Sequence, residues 1–355
     1  MQVKIGNKIL GKNNPTYIVA EMSGNHGGSL KNAKEIIYAA KRAGADAVKL
    51  QTYTADTITI NSNKPDFKIL DGTAWDGYEN LWSLYNKAYT PWEWHQELFT
   101  LARSIDLEIF SSPFDETAVD FLENLNVNVY KIASPEITNI PLLEKVAKTL
   151  KPIIISTGIS TKEDIELAIK TLKKFGTQDI IILKCTTSYP APAEDSNLIT
   201  IKDISSTFNV LSGLSDHTLG IGAAIASVVY GASLIEKHFI TDESNKTVDS
   251  FFSLGEQSFK QMVQEIRFVE KAMGNVCYDI VESAKASLRG RSSLYISDYV
   301  KKGEIFTKKN IKAVRPAFGL HPKFYKDIIG KISNQNLEPG DRVTFDIVYV
   351  DKEKK

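Results

Sequence analysis

Cysteine is scarce in this 355-residue chain, with Cys185 and Cys277 its only two. Two thiols in a chain of this size exclude a disulfide framework and point to a reducing, cytoplasmic compartment. No charge of one sign is in excess: 43 Lys and Arg balance 43 Asp and Glu, for a formal net charge of +0. A global field that would recruit nucleic acid or an anionic membrane is therefore missing, and any anion must be gripped locally. Long apolar runs are missing too. The most apolar stretch, residues 221–235, is interrupted by glycines and falls short of the roughly 20 residues that span a bilayer. The opening MQVKIGNKIL alternates apolar with polar residues, unlike the apolar core of a signal peptide. The expectation is a protein with no nucleic-acid and no membrane partner.

What is present suffices for a large core: 43% of residues are hydrophobic and 24% charged, outside the range of disordered chains. The length fits a barrel of about 250 residues plus a smaller domain. Short β-branched runs alternate with stretches of helical period, the pattern of successive βα units around a parallel sheet. Strands are expected near Tyr17–Ala20, Ala47–Gln51, Glu108–Ser111, Val129–Ile132, Ile153–Ser156, Ile180–Lys184, Val210–Leu214 and Leu234–His238. Amphipathic stretches such as Leu30–Ala43, Glu116–Leu125, Lys162–Phe175 and Gly220–Tyr230 lie between them. Eight such units favour an α/β fold of the closed (β/α)8 TIM-barrel type over an open doubly wound sheet. No glycine-rich dinucleotide fingerprint follows the first strand, which argues the same way. One connection, Asp56 to Pro91, is unusually long and carries Trp75, Tyr78, Trp82 and Tyr85, the makings of a lid or substrate wall.

After a last helix near Gln257–Met273 the texture turns to Gly, Asn, Ser and charge. Residues 1–274 therefore read as a catalytic barrel, 275–291 as a linker, and 292–355 as a small β-rich domain with turn signals in YISDYVKKGEIFTKKNI and LEPGDRVTFDIV. The charged tail DKEKK reads as solvated.

Active sites of such barrels form at the C-terminal ends of the strands. The residues expected there are Glu21, Lys49 with Gln51, Ser112, Lys131 with Ser134, Ser156, Lys184 with Thr187, Ser215 with His217, and Glu236 with His238. Lysines supply point charges and hydroxyls supply neutral donors, so Lys49, Lys131, Ser112, Ser134, Ser156, Thr187 and Ser215 suit a phosphate with an attached carboxylate. The bland alternative is that these lysines only pair with rim glutamates, and Lys184 is the weakest of the three. His217 and His238 end consecutive strands, which lie about 4.8 Å apart in a barrel. They can share one divalent cation and leave positions open for water and substrate. Imidazole ligands alone do not select the metal. Glu21, directly after the first strand, is a candidate for proton handling or substrate orientation, with a salt bridge to a barrel lysine as its alternative. Cys185, amid apolar residues, reads as packing.

These residues fall in AEMSGNHGGSL, GADAVKLQTYT, FSSPFDE, YKIASPEI, ISTGIS, KCTTSYPAP, GLSDHTLG and IEKHF. In that order, over nearly the whole chain, they resemble the sialic acid synthase family, and KKGEIFTKKNI with VRPAFGLHPKFY resembles its C-terminal antifreeze-like (SAF) domain. The resemblance implies condensation of phosphoenolpyruvate with an N-acetylated hexose on a divalent metal, manganese by family habit, with Mg2+ or Co2+ as alternatives, held by His217 and His238. It implies a phosphoenolpyruvate site of Lys49, Ser112, Lys131, Ser134, Ser156 and Ser215, and a catalytic glutamate at Glu21. Gln51, Tyr189 and Asp249 match positions near the acceptor sugar. The family is also implied to form a domain-swapped homodimer, each C-terminal domain lending one arginine, here Arg315, to its partner's barrel. Two departures are visible: Thr187 stands where the neuraminic branch has asparagine, and Lys237 where the family has arginine. TYTADTITINSNKPDFKI and RPAFGLHPKFY are most similar to the pseudaminic-acid branch, whose acceptor is a 2,4-diacetamido-2,4,6-trideoxy-altrose, with the neuraminic and legionaminic branches as alternatives. Two rivals of other kinds stand beside this reading: a non-catalytic sugar- or phosphate-binding barrel, and a Schiff-base aldolase using Lys131 or Lys184.

Overall fold

A β-branched run buried on both faces gains more as a central parallel strand than in any other setting, and the chain uses this eight times. In a computed structural model, which describes residues 1–69, 72 and 75–348, the strands are β3 (Tyr17–Glu21), β4 (Ala47–Thr52), β5 (Glu108–Pro113), β6 (Tyr130–Ile132), β7 (Ile153–Ser156), β8 (Ile180–Cys185), β9 (Leu211–Asp216) and β10 (Leu234–His238). They close into one parallel barrel, with β10 pairing β3 in register from Leu234 opposite Tyr17 to His238 opposite Glu21. Several strands run one or two residues beyond the expected ends, because polar residues at their C-termini continue the hydrogen-bond ladder.

Helices α1 (Leu30–Ala43), α2 (Ala55–Ile58), α3 (Leu81–Ala88), α4 (Trp92–Ser104), α5 (Glu116–Asn124), α6 (Ile140–Ala147), α7 (Lys162–Lys174), α8 (Thr200–Phe208), α9 (Gly222–Val229) and α10 (Glu256–Met273) follow in order. Their starts are set by local chemistry: the Ser29 side chain accepts from the Asn32 amide, Asp115 from Thr117 and Ala118, and Thr161 with Asp164 forms a capping box. Their apolar stripes pack on the outer face of the sheet, where Ile36, Phe99, Leu122, Leu143 and Leu172 are fully buried. Each such side chain contributes about 1.5–3 kcal/mol on burial.

Before the barrel, β1 (Gln2–Ile5) and β2 (Lys8–Gly11) form an antiparallel hairpin. The alternation in MQVKIGNKIL is this hairpin's inward face. Val3, Ile5 and Leu10 share one apolar cluster with Tyr17, Val19, Phe110, Ile154 and Ile181, and so plug the end of the barrel where the strands begin. The long 56–91 connection contains α2 and α3; Leu70, Asp71, Thr73 and Ala74 within it lie outside the described residues.

The chain divides into units Met1–Gly274 and Asn275–Lys355. Within the second, a run of 3-10 helix over Glu282–Gly290 precedes an antiparallel pair, β11 (Ser293–Ile296) and β12 (Ile311–Val314), and a short helix, α11 (Tyr325–Ile328). Its core comprises Leu294, Ile296, Val300, Phe306, Ile311 and Val343 among others. The DKEKK tail lies outside the described residues. Among the described residues no helix is long and apolar enough to cross a membrane.

Candidate active site

Side chains alternate along a strand, so residues of one parity line the bore. Below, that parity supplies the apolar cluster closed by the hairpin. One step further along the same strands it supplies Glu21, Lys49, Ser112, Lys131, Ser156, Ser215, Glu236 and His238, all buried. Lys49 Nζ lies 2.5 Å from Glu21 Oε2 and 3.9 Å from Glu236 Oε2, and Lys131 Nζ lies 3.4 Å from Glu236 Oε1. Lys49 donates to Ser112 Oγ at 3.3 Å, and the Ser215 hydroxyl donates to Glu236 Oε1 at 3.2 Å. Glu21 also accepts from the Ser23 amide and from Gln51 Nε2, both at 3.1 Å. The structure thus brings both readings of these residues together: the lysines are paired, and they converge.

Two carboxylates and two ammonium groups share this floor, and burial sorts them. Burial pushes Glu21 up to about 7, with Lys49 only partly offsetting it and Glu236 adding to it. Burial acts on Glu236 as well, but Lys131 and Lys49 outweigh it and hold that carboxyl below its usual range. Burial lowers Lys131 and also opposes the charge on Lys49, yet Glu21 and Glu236 carry Lys49 above its usual value. Glu21 is therefore a carboxyl poised to take or give a proton near neutrality, while Glu236 is the fixed counter-charge.

His217 and His238 meet with ring centroids 5.3 Å apart, inclined at 66°. The His217 Nδ1–H donates to the Thr186 carbonyl at 2.9 Å, which leaves Nε2 as the lone-pair nitrogen. His238 Nδ1 is buried and has no hydrogen-bond partner among the described residues. Burial, reinforced by His217, holds His238 well below the ordinary histidine range, so it stays neutral. Burial lowers His217, but Cys185, the Thr186 carbonyl and Glu236 outweigh it and hold this ring above the ordinary histidine range; a cation that displaced its proton would find two ring nitrogens as ligands, one from His217 and one from neutral His238. Among the described residues no group of three or more His, Cys, Asp or Glu is arranged to hold a metal, so water and substrate must complete any coordination.

The remaining expected residues ring this floor. Ser134 Oγ accepts from the Gly158 amide at 2.9 Å, and a Cβ on Gly158 would fall 1.9 Å from Thr187 Oγ1. Ser156 Oγ and Thr187 Oγ1 are buried without partners among the described residues, two hydroxyls free to turn toward an anion. Asp249 accepts from Ser23 Oγ at 2.5 Å, and the Tyr189 ring sits 4.5 Å from that of His217. Arg315 lies in the second unit, on a groove shared with Lys312, Phe318 and Arg342.

Three readings change. Lys184 has the wrong parity: Cys185 faces the bore instead, and Lys184 Nζ donates to the Cys185 carbonyl at 2.7 Å. Cys185 is buried, but its Sγ lies 3.8 Å from His217 Nδ1; burial raises its pKa, and His217 and Lys131 outweigh this to bring it to about 7. Glu236, placed on the rim but given no role, is the hub of the floor. Strict parity from Ile181 along β8 and from Leu234 along β10 finds both residues. Glu136 was not singled out at all: burial raises it to about 7, and its Oε2 has no partner among the described residues. It sits on the turn after β6, where period-two reasoning has no reach.

The NeuB family model matches residues 36–278 and a SAF domain matches residues 291–348. A pseudaminic acid synthase of Campylobacter jejuni subsp. jejuni is 46% identical over 92% of this chain and 94% of its own length. One of Helicobacter pylori is 46% identical over 94% of this chain and 97% of its own. The crystal structure of a Bacillus subtilis spore coat polysaccharide biosynthesis protein superposes with a TM-score of 0.68 at 31% identity, covering 99% of this chain and 100% of that one. The barrel and the C-terminal module agree with these likenesses, and the chain belongs to the NeuB family.

Proposed function

We propose that the chain condenses phosphoenolpyruvate with 2,4-diacetamido-2,4,6-trideoxy-L-altrose and water, giving the nine-carbon acid pseudaminic acid and phosphate. The observation that carries this is the buried Glu21–Lys49–Glu236–Lys131 floor lying beside the paired imidazoles of His217 and His238; the likeness to the two pseudaminic acid synthases supports the choice of acceptor.

Lys49 and Lys131 hold the phosphate and carboxylate, with Ser112, Ser134, Ser156, Thr187 and Ser215 donating hydroxyl bonds. Gln51, Tyr189 and Asp249 line the acceptor's place. A divalent ion on His217 and His238, manganese before magnesium or cobalt, would polarise the acceptor's carbonyl oxygen when bound. Holding the two substrates in contact makes the attack of the enol carbon C3 on the aldehyde carbon effectively unimolecular. Water then adds at C2 and phosphate leaves by C–O cleavage. Glu21, near neutrality in its pKa, moves the proton of that water or of the new hydroxyl.

Residues 1–274 serve as the catalytic barrel, 275–291 as a linker and 292–355 as the antifreeze-like domain. In a domain-swapped homodimer Arg315 reaches the acceptor in the partner's barrel. The protein works in the cytoplasm, where phosphoenolpyruvate is made.

Phosphate release from phosphoenolpyruvate with Mn2+ tests this, offering the altrose sugar, its gluco-derived diacetamido relatives and N-acetylmannosamine in parallel. Release with the altrose sugar alone is expected. Release with another sugar moves the chain to the legionaminic or neuraminic branch, and release with none leaves a binding barrel. Borohydride should trap no lysine adduct, since nothing here requires a Schiff base.

A further inference from the structure

Trp75 belongs to the connection between β4 and α4, far from any strand in sequence, yet it is tied to the barrel mouth. Its indole Nε1–H donates to the Val248 carbonyl at 3.1 Å. Its ring meets Tyr189 edge-on at 5.4 Å between centroids and Phe251 at 6.5 Å. Tyr189 borders His217, and Phe252 lies 4.6 Å from His238. The strip that anchors Trp75 has no slack: a Cβ on Gly24 would fall 2.4 Å from Val248 Cγ2 and 3.2 Å from the Ala88 carbonyl oxygen. The turn after β3, the end of α3 and the 248–252 segment are therefore packed against one another.

One hydrogen bond decides what Trp75 can recognise. Indole has a single donor, and here it is committed to Val248. Toward the mouth the ring has only an apolar face and edge to offer. A hydroxyl set against it loses water and gains no partner, whereas a methyl group is buried at no such cost. We propose that Trp75, backed by Tyr189 and Phe251, is a specificity-determining residue that selects acceptors ending in an apolar group, a methyl carbon in place of a hydroxymethyl. The acceptor's aldehyde must meet the charged floor, so the far end of its open chain comes under this aromatic wall. The inference rests on the condensation reading and deepens it.

The test compares wild type, Trp75→Ala and Trp75→Phe in the full chain with Mn2+ and phosphoenolpyruvate. Calorimetry gives the affinity for the 6-deoxy diacetamido altrose and for N-acetylmannosamine, and phosphate release gives kcat/KM. Trp75→Ala should lose about tenfold or more on the methyl-ended sugar, in KM and affinity, against about threefold or less on the hydroxymethyl-ended one, within the range a hydrophobic pocket discriminates. The phosphoenolpyruvate KM and the melting temperature should hold, and Trp75→Phe should keep most of the preference. An equal loss on both sugars, a phosphoenolpyruvate KM that moves with it, or an unchanged ratio overturns the proposal. A wild type that binds the methyl-ended sugar but releases no phosphate sinks the condensation reading alone, since the affinity ratio still decides Trp75. Binding of neither sugar sinks both.

Discussion

The bore of this barrel is filled by alternate residues of the same eight strands, and its two ends are filled in opposite ways. At the end closed by the hairpin stand Tyr17, Val19, Phe110, Ile154, Ile181 and Leu183, with no charge among them. One step along the strands stand Glu21, Lys49, Lys131 and Glu236, buried just as deeply. The lower layer does what a core does, and each large side chain there adds to stability. The upper layer works against stability, because desolvating four charges is repaid only in part by their mutual attraction. A barrel selected for stability alone would carry the lower layer through to the top. The difference is the ground for proposing the upper layer as the site.

Four changes would break or sharpen this contrast. The largest effect belongs to Glu21→Gln, which keeps the shape of the side chain and removes its proton chemistry. Turnover should fall by about 10²–10⁴-fold while phosphoenolpyruvate affinity holds within a few-fold, read from phosphate release and calorimetry. Lys131→Met comes next. It leaves Glu236 with only the more distant Lys49, 3.9 Å away, and should cost up to about 3–5 kcal/mol in urea denaturation, whereas Lys131→Met with Glu236→Gln should recover much of that loss without recovering activity. In the lower layer, Phe110→Ala should also cost about 3–5 kcal/mol through its cavity, yet leave kcat/KM per folded molecule close to wild type.

The smallest effect is in pH. Glu136 rises from 4.5 to about 7 on folding, so the folded state holds its proton more tightly than the unfolded chain does. Its contribution is most favourable below pH 4.5 and is lost as pH rises through 7. Glu136→Gln should remove that loss. The variant should gain on wild type by about 1–3 kcal/mol between pH 5 and 8 in paired denaturation curves, and a flat difference would discard the shift.

Much of this was legible in residues alone. Eight β-branched runs announced the strands, since a buried parallel strand needs little beyond an unbroken apolar run. The rim residues Lys49, Lys131, His217 and His238 were legible because strand ends are where such runs stop being apolar. Parity was the signal left unused, and it separates Lys184 from Cys185 and gives Glu236 its place. Glu136 and Ser23 were not legible, and Trp75 was legible as part of an aromatic substrate wall but not in its contacts, because a turn and a long connection are placed by tertiary contacts such as those with Asp249 and Val248, and no local period encodes them.

The most direct test of the contrast is a calorimetric titration of phosphoenolpyruvate into wild type, Glu21→Gln, Lys131→Met and Phe110→Ala, each first shown to be folded. If the charged layer is the phosphoenolpyruvate site, Glu21→Gln and Phe110→Ala bind within a few-fold of wild type, and Lys131→Met loses about a hundredfold or more, as removal of a charge-assisted contact to phosphate requires. Wild-type affinity in Lys131→Met would contradict the assignment, and the buried charges would then be a structural feature with no share in the chemistry.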